Sequence, residues 1–193
     1  MSLMSPIRRF FNENSSSQFS FEGRSYAISR RVFDPKHHLS GLAFASVLGS
    51  YDLTGQRVLE LGTGCGLLAG VAHDHGGDVV ATDISTAAVT CATTNLRHTN
   101  VDVRLGDLFE PVLGESFDLL IVNPPYEIGR AWNPVLRSPD MLERLASSWR
   151  TYAARLLLAF PTDSIDVLRS VGINSRLLYS LPTSGRELGI FGD

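Results

Sequence analysis

The sequence predicts an α/β protein with a doubly wound, mostly parallel seven-stranded sheet that ends in an antiparallel C-terminal strand. Three observations predict it. Short strand-like runs (Arg57–Leu61, Asp78–Thr82, Phe117–Val122) alternate with segments of about ten residues at helical spacing. These runs are apolar at consecutive positions, as strands covered on both faces are. Two final runs, Arg176–Leu181 and Glu187–Phe191, flank the turn signal Thr183-Ser184-Gly185 and read as an antiparallel pair.

In chain order, the polar stretch Asn12–Gln18 separates a frayed tail from the folded part. Phe19–Val32 alternates around Glu22-Gly23-Arg24 and predicts a short hairpin. Ser40–Leu48 carries small and apolar residues at helical spacing, with Ser40 placed to cap it. Then follow strand Arg57–Leu61, helix Leu67–His75, strand Asp78–Thr82 and helix Ser85–His98. Strands Val101–Leu105 and Phe117–Val122 come next, then helix Met141–Ala153, strand Arg155–Phe160 and helix Ser164–Val171, stopped by Gly172. Residues 1–39 read as an arm with a short hairpin, and 40–193 as the main domain.

Composition narrows the class. Of the 193 residues 44% are apolar and 19% charged, which excludes a disordered chain, a collagen and a coiled coil. No apolar run approaches the ~20 residues of a membrane helix, and no signal-peptide pattern follows Arg8 and Arg9, so a cytoplasmic protein is expected. Residues 1–40 hold six basic and three acidic groups, and the rest hold eleven and seventeen. Nucleic-acid binders carry a basic surplus over the domain. Net charge therefore does not favour a nucleic-acid partner, although the N-terminal arm could touch an acidic one.

Parallel sheets bind ligands outside the C-terminal ends of their strands. The first strand runs into Gly62-Thr63-Gly64-Cys65-Gly66, where alternate glycines let the backbone turn and a ligand approach main-chain N–H groups. Glu60 ends an otherwise apolar strand, where a carboxylate needs a partner such as an ammonium group. Asp83 follows the second strand, about 20 residues beyond the glycines, as an acceptor for ribose hydroxyls. After the third strand, Asp107 can accept from an adenine amino group while Leu108 packs on the ring. Each has a plainer reading (a tight turn, a helix cap, a turn aspartate), but three in succession describe a site for an adenosine with a charged tail. The spacing is G-x-G-x-G and Glu60 would repel a pyrophosphate, which sets the loop apart from a dinucleotide fingerprint.

The fourth strand leads into Asn123-Pro124-Pro125-Tyr126. Two prolines stiffen the chain and remove two N–H donors, so carbonyls can face a site without competition. Asn123 adds a side-chain acceptor and Tyr126 a flat face. Together they suit a planar NH₂ group. Hydrogen bonds from such a nitrogen to carbonyls favour its pyramidal, nucleophilic form, and positioning lowers the barrier further.

From Val58 to Pro161 the pattern resembles the class I S-adenosylmethionine-dependent methyltransferases. It is carried by Leu59-Glu60-Leu61-Gly62-Thr63-Gly64-Cys65-Gly66, Thr82-Asp83-Ile84-Ser85, Gly106-Asp107-Leu108-Phe109 and Asn123–Tyr126. The resemblance implies a Rossmann-like fold with S-adenosylmethionine as cofactor. It implies cofactor-binding residues Glu60, Leu61, Gly62, Thr63, Gly64, Gly66, Asp83, Ile84, Asp107, Leu108 and Asn123. Asn123, Pro124, Pro125 and Tyr126 become the catalytic motif. That tetrapeptide resembles the signature of enzymes that methylate planar nitrogens: glutamine methyltransferases of release factors, adenine-N6 methyltransferases and guanine-N2 rRNA enzymes. Val32–Lys36 also resembles the release-factor segment that covers the cofactor. The following His37-His38-Leu39-Ser40 departs from its usual acid and hydroxyl, and no long N-terminal recognition domain precedes it. Compact single-domain relatives that rely on a partner subunit match better.

The expected acceptor is a protein glutamine amide, with a nucleobase exocyclic amine second and a small molecule third. A non-catalytic adenosyl-ligand-binding subunit and an NAD-dependent dehydrogenase are the readings from other classes. His37, His38, His73, His75, His98, Cys65 and Cys91 form no metal-ligand spacing. The segment Gly129–Pro139 is expected to be a substrate-selecting lid or a connection.

Overall fold

The computed structural model describes residues 15–38, 40–124, 139–182 and 187–192. A hairpin opens it: β1 (Ser15–Phe21) pairs antiparallel with β2 (Arg24–Ser29). The turn residues Glu22 and Gly23 both have positive φ, 45° and 80°, the left-handed pair that a two-residue hairpin turn requires. The serines expected in a separating stretch belong to this structure: Ser15, Ser17 and Gln18 pair with Ser29, Ile28 and Ala27. Backbone pairing with β2 holds them, a partnership that their own composition does not reveal.

After a four-residue turn of helix, α1 (Pro35–His38), and α2 (Ser40–Leu48), the alternation runs β3 (Arg57–Leu61), α3 (Leu67–Asp74), β4 (Asp78–Asp83), α4 (Thr86–Asn95), β5 (Asp102–Leu105) and β6 (Phe117–Val122). It continues through α5 (Pro139–Tyr152), β7 (Ala153–Pro161), α6 (Ile165–Ser170), β8 (Arg176–Pro182) and β9 (Glu187–Gly192). The seven strands lie in the order β5-β4-β3-β6-β7-β9-β8. All pairs from β5 to β7 are parallel, and β9 alone runs against both neighbours. The expected doubly wound sheet and its closing antiparallel pair are both present.

Strand alternation divides the core in two. Leu119 and Ile121 face α2, α3, α4 and the hairpin, together with Val58 and Ala81. Leu120 and Val122 face α5, with Leu59, Leu145 and the fully enclosed Trp149. Each fully buried side chain of this kind contributes roughly 1.5–3 kcal/mol. The hairpin shares the first core, where Tyr26 is 1% exposed and Ile28 is completely buried.

Order along the sheet reverses between β3 and β6, which sit side by side although β4 and β5 intervene in the chain. The C-terminal ends of both strands therefore open on one crevice. Among the described residues, no helix is long and apolar enough to cross a membrane.

Candidate active site

The glycine loop begins where β3 ends. Gly62, Gly64 and Gly66 have φ of 77°, 58° and 85°, all in the left-handed region. A Cβ at Gly62 or Gly64 would meet nothing within 4 Å, so their other side is open. At Gly66 it would lie 2.9 Å from Leu96, because here the loop packs on the end of α4. Gly62 and Thr63 donate their amides to the Thr82 carbonyl, at 2.8 and 3.0 Å. Leu61 is buried beneath the loop.

Glu60 shares the face of Val58 and points toward α3, where it is 2% exposed. It accepts from Thr63 Oγ1 at 2.7 Å and from the Ala69 amide. Gly66 is the N-cap of α3 and has no side chain to offer. The carboxylate from β3 supplies that cap, at the positive end of the helix dipole. Burial pushes its acid up to about 7, and the two hydrogen bonds pull against that shift.

Asp83 closes β4. Its Oδ2 accepts from Gly64 N–H and its Oδ1 from Ser85 N–H, both at 2.9 Å. Burial raises its pKa while these bonds oppose the rise. Each oxygen keeps an outer lone pair. Ser85 itself caps α4, its hydroxyl 3.4 Å from the Ala88 amide, so the capping role suggested by sequence falls to Ser85. Next to Asp83, Ile84 leaves an apolar side chain 37% exposed at the same edge.

Beyond β5, Asp107 pairs with Arg144 of α5, Nη1 to Oδ2 at 2.7 Å. Leu108 has φ of 47°, a conformation that costs a non-glycine residue about 1–2 kcal/mol. Its carbonyl lies 3.5 Å from Thr82 Oγ1. Asp107, Leu108, Arg144, Ser148 and Tyr152 line a cavity of about 170 Å³, with Tyr152 stacked on Phe109 at 4.3 Å.

Asn123 and Pro124 leave β6 beside the glycine loop, Pro124 buried and Asn123 half-buried. The Asn123 amide nitrogen lies 3.9 Å from the Cβ position of Gly41 in α2, and Pro35 packs against the same spot. The segment after the hairpin thus flanks the motif. Pro125, Tyr126 and residues 129–138 of the expected lid lie outside the described residues, as does Trp132; Trp149 belongs to the core.

The structure therefore gathers Glu60, the glycines, Asp83, Ile84, Asp107, Leu108 and Asn123 along one sheet edge. Sequence reasoning missed Arg144, which comes from 37 positions away, and Asn95, whose amide donates to the Cys65 carbonyl at 2.8 Å. Nothing local marks either one. No group of three or more His, Cys, Asp or Glu among the described residues is placed to hold a metal.

The profile of the methyltransferase small domain matches residues 40–144. The chain belongs to that family. The likeness to class I S-adenosylmethionine-dependent methyltransferases is borne out. Among relatives, a release factor glutamine methyltransferase of Cereibacter sphaeroides is 32% identical over 160 residues, 78% of this chain and 51% of that one. A ribosomal RNA small subunit methyltransferase C of Alcanivorax borkumensis is 33% identical over 98 residues, 50% of this chain and 28% of its own. The chain thus spans about half, or less, of these relatives. The fold matches a T. thermophilus 16S rRNA N2 methyltransferase in complex with AdoMet and guanosine, with a TM-score of 0.64 and 20% identity over 91% of this chain and 49% of that one.

Proposed function

We propose that this methyltransferase-family chain transfers a methyl group from S-adenosylmethionine to a planar nitrogen, and that the acceptor is a protein glutamine amide. The observation that carries the reading is the position of Asn123 and Pro124: they leave β6 at the reversal in strand order, next to the open side of Gly62 and Gly64. In this reading the loop amides hold the amino-acid end of the donor, with Glu60 receiving its ammonium group directly or through water. Asp83 takes the ribose hydroxyls, and Asp107, Leu108 and Ile84 take the adenine. The sulfonium methyl then faces Asn123.

The chemistry needs little more. Asn123 Oδ1 and the carbonyls of the proline-stiffened chain accept the two N–H bonds of the acceptor amide. That draws the nitrogen lone pair out of conjugation and aims it at the methyl. The C–S bond breaks as the N–C bond forms, leaving S-adenosylhomocysteine. The nitrogen, positively charged as it is alkylated, loses its proton to water. Pro125 and Tyr126 complete the motif as the stiffening residue and the stacking face. Residues 40–193 act as the methyltransferase domain, with 1–39 as the appended arm and hairpin.

Glutamine is preferred over a nucleobase because the glutamine-methyltransferase relative matches 78% of the chain and the rRNA relative 50%. The net charge of −3 points the same way. A nucleobase exocyclic amine is the second reading, on the strength of the rRNA relative. Incubation with isotopically labelled S-adenosylmethionine and separated cell fractions tests the choice. Label in protein, released as N-methylglutamine on proteolysis, is the expected result. Label in RNA or in small molecules would move the acceptor to one of those classes.

A further inference from the structure

Asn95 closes α4 and is 4% exposed. Its amide is fully used. Oδ1 accepts from the Ala27 amide at 3.0 Å, and Nδ2 donates to the Ala27 carbonyl at 2.9 Å. This double bond to one residue copies the pairing of two antiparallel strand residues, so the side chain seals the outer edge of β2. The second Nδ2 hydrogen goes to the Cys65 carbonyl at 2.8 Å. One planar group thus joins the middle of the hairpin to the middle of the glycine loop. Asp83 holds that loop from the other side, through Gly64.

Neighbouring contacts repeat the connection. Tyr26, beside Ala27, places its hydroxyl 3.5 Å from the carbonyl of Leu67, the first residue of α3. Gly70 makes the room, since a Cβ there would lie 2.3 Å from that hydroxyl. Cys91 Sγ sits 3.2 Å from the Ala27 carbonyl. At its other end the hairpin is tied to the segment that flanks Asn123: Asp34 accepts from Ser17 Oγ and from Lys36 N–H, and Lys36 Nζ donates to the Gln18 carbonyl at 3.1 Å. The family profile begins at residue 40, downstream of the hairpin and of Asp34 and Lys36.

We propose that the β1–β2 hairpin is a brace for the cofactor loop and that Asn95 is the positioning residue that couples the two. A two-stranded hairpin is marginal by itself, so it opens locally unless something holds it. When it opens, Asn95 loses both hydrogen bonds to Ala27 and the Cys65 carbonyl loses its fixed donor. Whatever orders the loop must then order the hairpin by the same amount, because coupling between two sites is reciprocal. The proposal rests on the loop carrying the cofactor.

Hydrogen exchange on the full chain, with and without saturating S-adenosylhomocysteine, tests it. The Ala27 amide reports the brace, and the Ile190 amide in β9 reports the core. Ligand is expected to slow exchange at both. In Asn95→Ser, the ligand dissociation constant should rise about fivefold or more. The slowing at Ala27 should vanish there while that at Ile190 persists, a split that general destabilisation does not produce. If ligand slows Ile190 in the wild type but leaves Ala27 unchanged, the brace is wrong. Wild-type affinity in folded Asn95→Ser overturns it equally. Should that variant not fold, the wild-type exchange decides alone. No binding to the wild type would remove the cofactor assignment of the loop, and the brace with it.

Discussion

Asp83 Oδ2 accepts the Gly64 amide hydrogen at 2.9 Å, so the end of β4 holds the glycine loop of β3 in place. The carboxylate that is expected to receive the ribose also sets the loop expected to receive the amino-acid end of the donor. Replacing Asp83 by Ala removes both. Charge-assisted hydrogen bonds contribute roughly 1.5–3 kcal/mol each, so calorimetric titration should show S-adenosylmethionine binding weakened at least about tenfold. Unchanged affinity would take the ribose away from Asp83.

Asn123→Ala separates chemistry from binding. The donor sites at Gly62–Gly66 and Asp83 are left intact, so the cofactor dissociation constant should stay within about threefold. Turnover should fall by about two orders of magnitude, the scale on which a preorganised polar group acts in a transition state. Steady-state methyl transfer at saturating donor reads the difference, and full turnover would put the acceptor elsewhere.

Arg144 occupies one oxygen of Asp107 and leaves Oδ1 for the adenine amine. Asp107→Ala should weaken S-adenosylhomocysteine binding by about tenfold. Arg144→Ala should weaken it less, since the carboxylate remains. Neither should shift stability by more than ~1 kcal/mol, because both partners are partly exposed. Equal loss of affinity in the two variants would mean that the arginine itself meets the ligand.

Glu60 gives a pH signature. Its acid is raised from 4.5 to about 7 in the folded chain, so the native state holds this proton more tightly than the unfolded state. The stability it contributes is complete below pH 4.5 and is lost as pH rises through about 7. The total is about 3 kcal/mol by the usual conversion of a pKa shift to free energy. Urea denaturation of the ligand-free protein should show Glu60→Gln losing this part of the pH dependence. An unaltered pH profile would mean that Glu60 titrates normally.

Much of this was legible in the sequence because buried strands and glycine turns carry local signals. Phe117–Val122 appears as a strand on the basis of unbroken apolarity, and Asp83 and Asp107 declare themselves by following strands. Contacts that join distant segments carry no such mark. Ser15 and Ser17 look like spacer residues until β2 pairs with them. Asn95 lies inside the helix expected over Ser85–His98 and Arg144 inside that expected over Met141–Ala153, with nothing to mark either until the fold brings Cys65 and Asp107 to them. Glu60 was legible as an unusual carboxylate, but its cap of α3 depends on a helix that begins in space beside it, not next to it in the chain.

The most direct measurement is a crystal structure with S-adenosylhomocysteine bound. The ribose hydroxyls are expected on Asp83, the homocysteine amino group toward Glu60, and the sulfur facing Asn123 across an open gap. A ribose held elsewhere, or a sulfur turned away from Asn123, would contradict the proposed site.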